Sequence, residues 1–176
     1  MLKPQDCMLL LKLLAQQDNT RSQRELAQLL GISLSEVNAG IRRLVEAGLL
    51  RKNKQSQLIP ILNAAEEFLI GGLKYMIPAK LGEYTRGMPT AYAAPLFHDL
   101  IALGDDPVPV WPDAQGEKKG VALLPIYSSV TKSLHRHFDQ EFYDLLVLVD
   151  VIRVGKARER NMAIKILKDR LKHENQ

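Results

Sequence analysis

The chain has 176 residues, 46% hydrophobic and 25% charged, which suits one ordinary globular domain or two small ones sharing a core. Its one cysteine, Cys7, excludes a disulfide framework and a cysteine-based zinc site within one chain. No apolar run approaches the roughly 18 residues of a membrane span, so a reduced, soluble, cytoplasmic protein without a cofactor is expected. The net charge of +4 is unevenly spread: residues 1–62 carry nine Lys/Arg against five Asp/Glu, 63–133 six against eight, and 134–176 nine against seven. A basic field concentrated in the first third is what a polyanion partner needs.

Taken in chain order, Pro4 suits a helix's opening turn, where its missing N–H costs nothing, and the helix is expected to reach about Gln17. Cys7, Met8, Leu9, Leu10, Leu11, Leu13 and Leu14 make it apolar nearly all round. Such a helix should pack on more than one side, against the C-terminal block or a second copy of the chain. Ser22 and Glu25 have the S-x-x-E spacing of a capping box and open a second helix, which runs through Leu30 and closes at Gly31. Ser33 and Glu36 repeat the signal for a third helix, with Val37, Ile41, Leu44 and Val45 at helical spacing. The polar turn from Arg51 to Gln57, flanked by the apolar stretches Gly48 to Leu50 and Leu58 to Ile61, reads as a two-stranded hairpin.

Two capped helices joined at a glycine and followed by a hairpin make a winged helix-turn-helix. In that arrangement the second helix of the pair enters the major groove of DNA. With Val37, Ile41 and Leu44 turned inward, the expected reading face is Ser35, Asn38, Ala39, Arg42 and Arg43. Asn can pair with adenine, Arg with guanine, and alanine can touch a thymine methyl. The helix start at Ser33 and Ser35 should offer N–H groups to a phosphate. Arg51, Lys52 and Lys54 place three cations near a flexible hairpin tip, suited to backbone phosphate or the minor groove. RNA binding is the weaker nucleic-acid reading, because the basic block lacks the aromatics that base stacking uses.

The run RSQRELAQLLGISLSEVNAGIRRLVEAGLLRK resembles the winged-helix transcriptional regulators of the MarR and Lrp types, a similarity covering roughly residues 4 to 62. The resemblance implies a prokaryotic, homodimeric, sequence-specific binder of double-stranded DNA. It also implies that Arg21, Gln23 and Arg24 meet phosphates. Downstream the chain matches neither the long dimerising helices of the MarR type nor the ferredoxin-like domain of the Lrp type.

Asn63 and Glu66 again have capping spacing, before a helix carrying Phe68, Leu69, Leu73 and Met76, which Gly71-Gly72 should bend. Seven of the nine prolines fall between Pro78 and Pro125. There Lys80 to Pro89 reads as a structured loop, in which Arg86 makes a structural hydrogen bond or holds an anion. Val108–Trp111 and Val121–Ile126 are expected to pair as a hairpin through the turn at Asp113–Gly120. His135, His137 and Asp139 imitate a metal motif but lack a second cluster, and read as a helix start with exposed histidines. Two helices follow, broken at Gly155, with Arg153, Lys156, Arg158 and Arg160 at their junction, in salt bridges or against phosphate.

The expected fold is mostly α (α+β): a winged helix-turn-helix (1–62), a helix and Pro-rich middle with a small β-hairpin (63–133), and a C-terminal helical pair for dimerisation or sensing (134–176). No nucleophile–base set, Walker loop or G-x-G-x-x-G appears, and no enzyme is expected. The alternative function is a winged-helix interaction module, such as an antitoxin or complex subunit, that binds a protein partner.

Overall fold

The computed structural model describes residues 1–16 and 19–173, so the expected end of the first helix at Gln17 lies outside the described residues. Helix α1 (Pro4–Ala15) begins with proline in its first turn, and its residues from Asp6 to Ala15 are all buried. Helix α2 (Gln23–Leu30) starts at Ser22, whose hydroxyl accepts the Glu25 N–H at 3.1 Å. It ends at Gly31, which holds the left-handed φ of 67° that a side chain would strain. Helix α3 (Leu34–Glu46) has the full reciprocal box: the Ser33 hydroxyl takes the Glu36 N–H, and the Glu36 carboxylate takes the Ser33 N–H at 2.9 Å. Strands β1 (Leu50–Lys52) and β2 (Leu58–Pro60) then pair antiparallel as the wing.

The expected start at Asn63 moves upstream. Helix α4 (Leu62–Glu67) opens at Ile61 with no side-chain cap and runs through a π-helical segment, Phe68–Gly72, into α5 (Leu73–Met76). The glycine pair thus produces a widened turn inside a continuing helix. The larger correction follows. The segment expected to be a loop is strand β3 (Leu81–Pro89), and the two strands expected to form a hairpin do not. Strands β4 (Pro109–Pro112) and β5 (Lys118–Leu123) each pair antiparallel with β3, and with each other in parallel, closing a three-stranded barrel. So small a barrel has no room for side chains at its crossings. A Cβ at Gly87 would stand 2.0 Å from the Trp111 carbonyl oxygen, and one at Gly120 2.0 Å from that of Val108. Arg86, inside β3, donates to the Gly116 carbonyl at 3.2 Å, which is the structural alternative of the two expected for it.

A short unexpected helix, α6 (Val130–Arg136), straddles the boundary before the expected C-terminal pair, α7 (Gln140–Val154) and α8 (Ala157–His173). Helix α7 is buried from Phe142 to Arg153 and is the central element. Helix α1 packs along it, and Lys12 reaches from α1 to Asp139, the N-cap of α7, at 2.8 Å. The barrel hangs on the same helix. Asp150, fully buried, accepts from Trp111 Nε1 at 2.7 Å, Thr90 Oγ1 at 2.6 Å and Arg153 at 3.2 Å. The Tyr143 hydroxyl donates to the Pro89 carbonyl at 2.6 Å. Helix α6 closes α2: the hydroxyls of Ser129 and Ser133 donate to the carbonyls of Leu30 and Leu29, which the helix end leaves open. One hydrophobic cluster runs from Cys7 to Leu171 through all three sequence blocks. No helix among the described residues is long and apolar enough to cross a membrane.

Candidate nucleic-acid interface

Helix α3 turns Val37, Gly40, Ile41 and Leu44 to the core. Its opposite stripe, Ser35, Asn38 and Arg42, is exposed, and Ala39 is half-buried beside it. Leu34 and Val45 extend this stripe at its two ends, exposed at 43% and 42%. Val45 therefore leaves the core face to which its spacing assigned it, because the core-facing arc is already filled by Val37, Ile41 and Leu44. Reading the sequence put Val45 with the core, since an apolar residue at helical spacing looks like core, and left Leu34 unassigned.

The helix start differs from the expectation in one respect. The Ser33 N–H is taken by Glu36, and the Ser33 hydroxyl lies 3.0 Å from Ser35 Oγ and from Glu36 Oε2. These bonds hold the Glu36 carboxyl below its usual pKa. A carboxylate thus occupies part of the N-terminus that was expected to be free for a phosphate.

The wing presents Arg51, Lys52 and Lys54 to solvent, but its tip is built, not loose. Asn53 Oδ1 accepts the N–H groups of Gln55 and Gln57 at 3.0 and 2.9 Å, its amide donates to Gln57 Oε1 at 2.8 Å, and Ser56 takes a φ of 60°. A cleft of about 440 Å³ separates the wing from the start of α2, with Arg21, Ser22 and Gln23 on one wall and Lys52 and Gln55 on the other. Arg24 is exposed on the first turn of α2. Among the described residues Arg21, Arg24, Arg42, Arg51, Lys52 and Lys54 make no ion pair. Six cations without an ion pair among the described residues, on α2, α3 and the wing, make a surface fitted to a polyanion.

Arg43 stands apart from them. Its side chain is 18% exposed, and its Nε and terminal nitrogen donate to Asp6 at 2.6 and 2.8 Å. Reading the sequence missed Asp6, which lies 37 residues away. The one local hint was Gly40, a glycine inside an otherwise regular helix.

The remaining candidates fall elsewhere. His135 is in the last turn of α6 and pairs with Asp113, His137 ends that helix, and Asp139 caps α7, so the expected helix start is in fact a junction between two helices. Among the described residues no three His, Cys, Asp or Glu side chains are placed to hold a metal. Arg153 is tied to buried Asp150, and Arg160 donates to the Gly155 carbonyl at 3.1 Å, while Lys156 and Arg158 are exposed.

Helix pair, glycine turn and two-stranded wing define a winged helix-turn-helix. Residues 9–51 match the winged helix-turn-helix DNA-binding family, which supports a DNA-binding unit of that kind at the N-terminus without singling out the MarR or Lrp type. No curated protein and no solved structure matches the chain.

Proposed function

We propose that the chain is a non-enzymatic, sequence-specific transcriptional regulator of the MarR/Lrp type that binds double-stranded DNA as a homodimer. In this reading α3 lies in a major groove with Asn38 and Arg42 toward base edges. Arg21, Gln23, Arg24, Lys52 and Lys54 then grip the flanking backbone. The observation that carries it is the exposed stripe of α3, within the segment that matches the DNA-binding family, flanked by cations that make no ion pair among the described residues. A dimer is argued from recognition, because one reading helix contacts too few base pairs for genomic specificity. The apolar circumference of α1 is no longer an argument for it, since α3 and α7 of the same chain account for that burial.

The test is selection of a binding motif from a randomised duplex library, followed by titration of the selected duplex. The Asn38→Ala, Arg42→Ala double variant should lose on the order of a hundredfold in affinity, at roughly 1–3 kcal/mol per base contact. Unchanged binding would remove α3 from the groove. The protein-docking alternative draws on the exposed Leu81 and Tyr84 of β3 and on Leu124 just past β5. It predicts no salt-dependent nucleic-acid binding, whereas a regulator loses affinity steeply as salt rises.

A further inference from the structure

We propose that Asp6, on α1 and away from the DNA-facing stripe, is a positioning residue for sequence reading, acting through Arg43 to set the roll and depth of α3. The inference rests on the DNA-binding reading and adds to it a residue that touches no DNA.

Asp6 is completely buried and its carboxylate is saturated. One oxygen accepts Arg43 Nε at 2.6 Å and the Lys3 N–H at 2.8 Å, and the other accepts the Arg43 terminal nitrogen at 2.8 Å. A two-pronged Arg–carboxylate bond is planar and directional, so it fixes orientation as well as distance. A buried ion pair is weak evidence of stability, because apolar residues of the same volume often serve as well. What this pair adds is geometry. Gly40 makes that geometry attainable: a Cβ there would lie 2.8 Å from Asp6 Oδ1 and 3.3 Å from Leu9 Cδ2. The glycine lets α3 settle onto the carboxylate one turn before Arg43 reaches over to grasp it. Base readout demands placement within about 0.5 Å and 10–20°, and Arg43 lies one residue after Arg42 on the same helix turn. A roll of α3 that breaks the clamp therefore moves Asn38 and Arg42 together.

The rival role for Arg43, a phosphate contact, predicts the opposite sign. Were Asp6 merely detaining Arg43, neutralising Asp6 would release a cation and strengthen binding to any DNA. The experiment titrates the full-length chain and its Asp6→Asn, Arg43→Lys and Gly40→Ala variants against the wild-type-selected duplex and against poly(dI·dC), over a range of salt, with thermal unfolding of each. Asp6→Asn and Arg43→Lys should each lose about tenfold or more on the selected duplex, the size of one misplaced base contact. On poly(dI·dC) affinity should stay within about twofold, with the salt slope unchanged, because the phosphate contacts are intact. Gly40→Ala keeps every charge and lifts α3 off Asp6, so it should show the same selective loss even if the charge variants fail to fold. Tighter binding of both duplexes by Asp6→Asn, an equal loss on both, or wild-type selectivity in Gly40→Ala would overturn the proposal. If the wild-type chain selects no motif at all, it is the DNA-binding reading that fails, and the clamp fails with it.

Discussion

Asp150 and Cys7 show how burial decides the chemistry of single groups in this core. Asp150 sits fully inside, where desolvation pushes its carboxyl pKa up, opposed by Arg153 and the donors Thr90 and Trp111. Replacing it with leucine strands three partners at once: an indole N–H, a hydroxyl and a guanidinium with 2% of its side chain exposed. Asp150→Leu should therefore cost about 3–5 kcal/mol, the range for an orphaned buried charge, readable as a lower denaturation midpoint. A change under about 1 kcal/mol would mean that water already solvates the site. Cys7 is the converse case, a buried thiol against Met76 Sδ at 3.9 Å. Burial, and secondarily Asp6, push its pKa to about 12, so it stays protonated at neutral pH. Disulfide reagents at about pH 8 should leave it untouched in the native chain and modify it only as the chain unfolds. Fast native labelling would show that α1 opens locally.

At the scale of elements, the structure separates signals that are local from those that are not. The start of α3 depends on a contact three residues long, and its strength can be read by pH. Ser33→Ala removes the cap and should lower stability by about 1 kcal/mol. The Glu36 half of the box has its carboxyl pKa lowered from 4.5. Its contribution is therefore present above that ordinary value and is lost as pH falls through the lowered folded value. The stability gap between the wild type and Glu36→Ala should be open at neutral pH and shrink as acid protonates the carboxylate; a gap independent of pH would exclude the carboxylate. Because such signals lie within one helical turn, α2, α3, Gly31 and the wing were all legible in the sequence, as was most of the exposed stripe of α3. The barrel was not. Nothing near Leu81–Pro89 says that it will pair with two strands 20 to 40 residues downstream. The parallel register Pro109↔Val121 also cannot be guessed from a five-residue connection, which ordinarily closes an antiparallel hairpin. Asp6 escaped for the same reason, its partner being 37 residues away.

The whole molecule behaves in this structure as one body, although its sequence divides into three blocks. The DNA-binding unit shares its core with the C-terminal helices: α1 packs between α3 and α7, Lys12 reaches Asp139, and α6 supplies hydroxyls to the last carbonyls of α2. The barrel joins the same helix through Asp150 and Tyr143. A unit so connected has no weak seam at which to unfold in parts, and the chain carries its own two reporters. Trp111, its one tryptophan, lies in the barrel, while more helical residues lie outside the middle block than within it. Denaturant titrations followed by tryptophan fluorescence and by far-ultraviolet circular dichroism should therefore give coincident midpoints, as two-state unfolding requires. Asp150→Leu should shift both together, since Asp150 lies on α7, bonds Arg153 of that helix and holds Trp111 and Thr90 of the middle block. Anything that repacks α7 repacks α1 with it, and α1 carries the carboxylate that holds Arg43 of α3; in the proposed function that is a route to regulation. A barrel transition displaced from the helical one would break that chain of contacts and leave the C-terminal block a separate passenger.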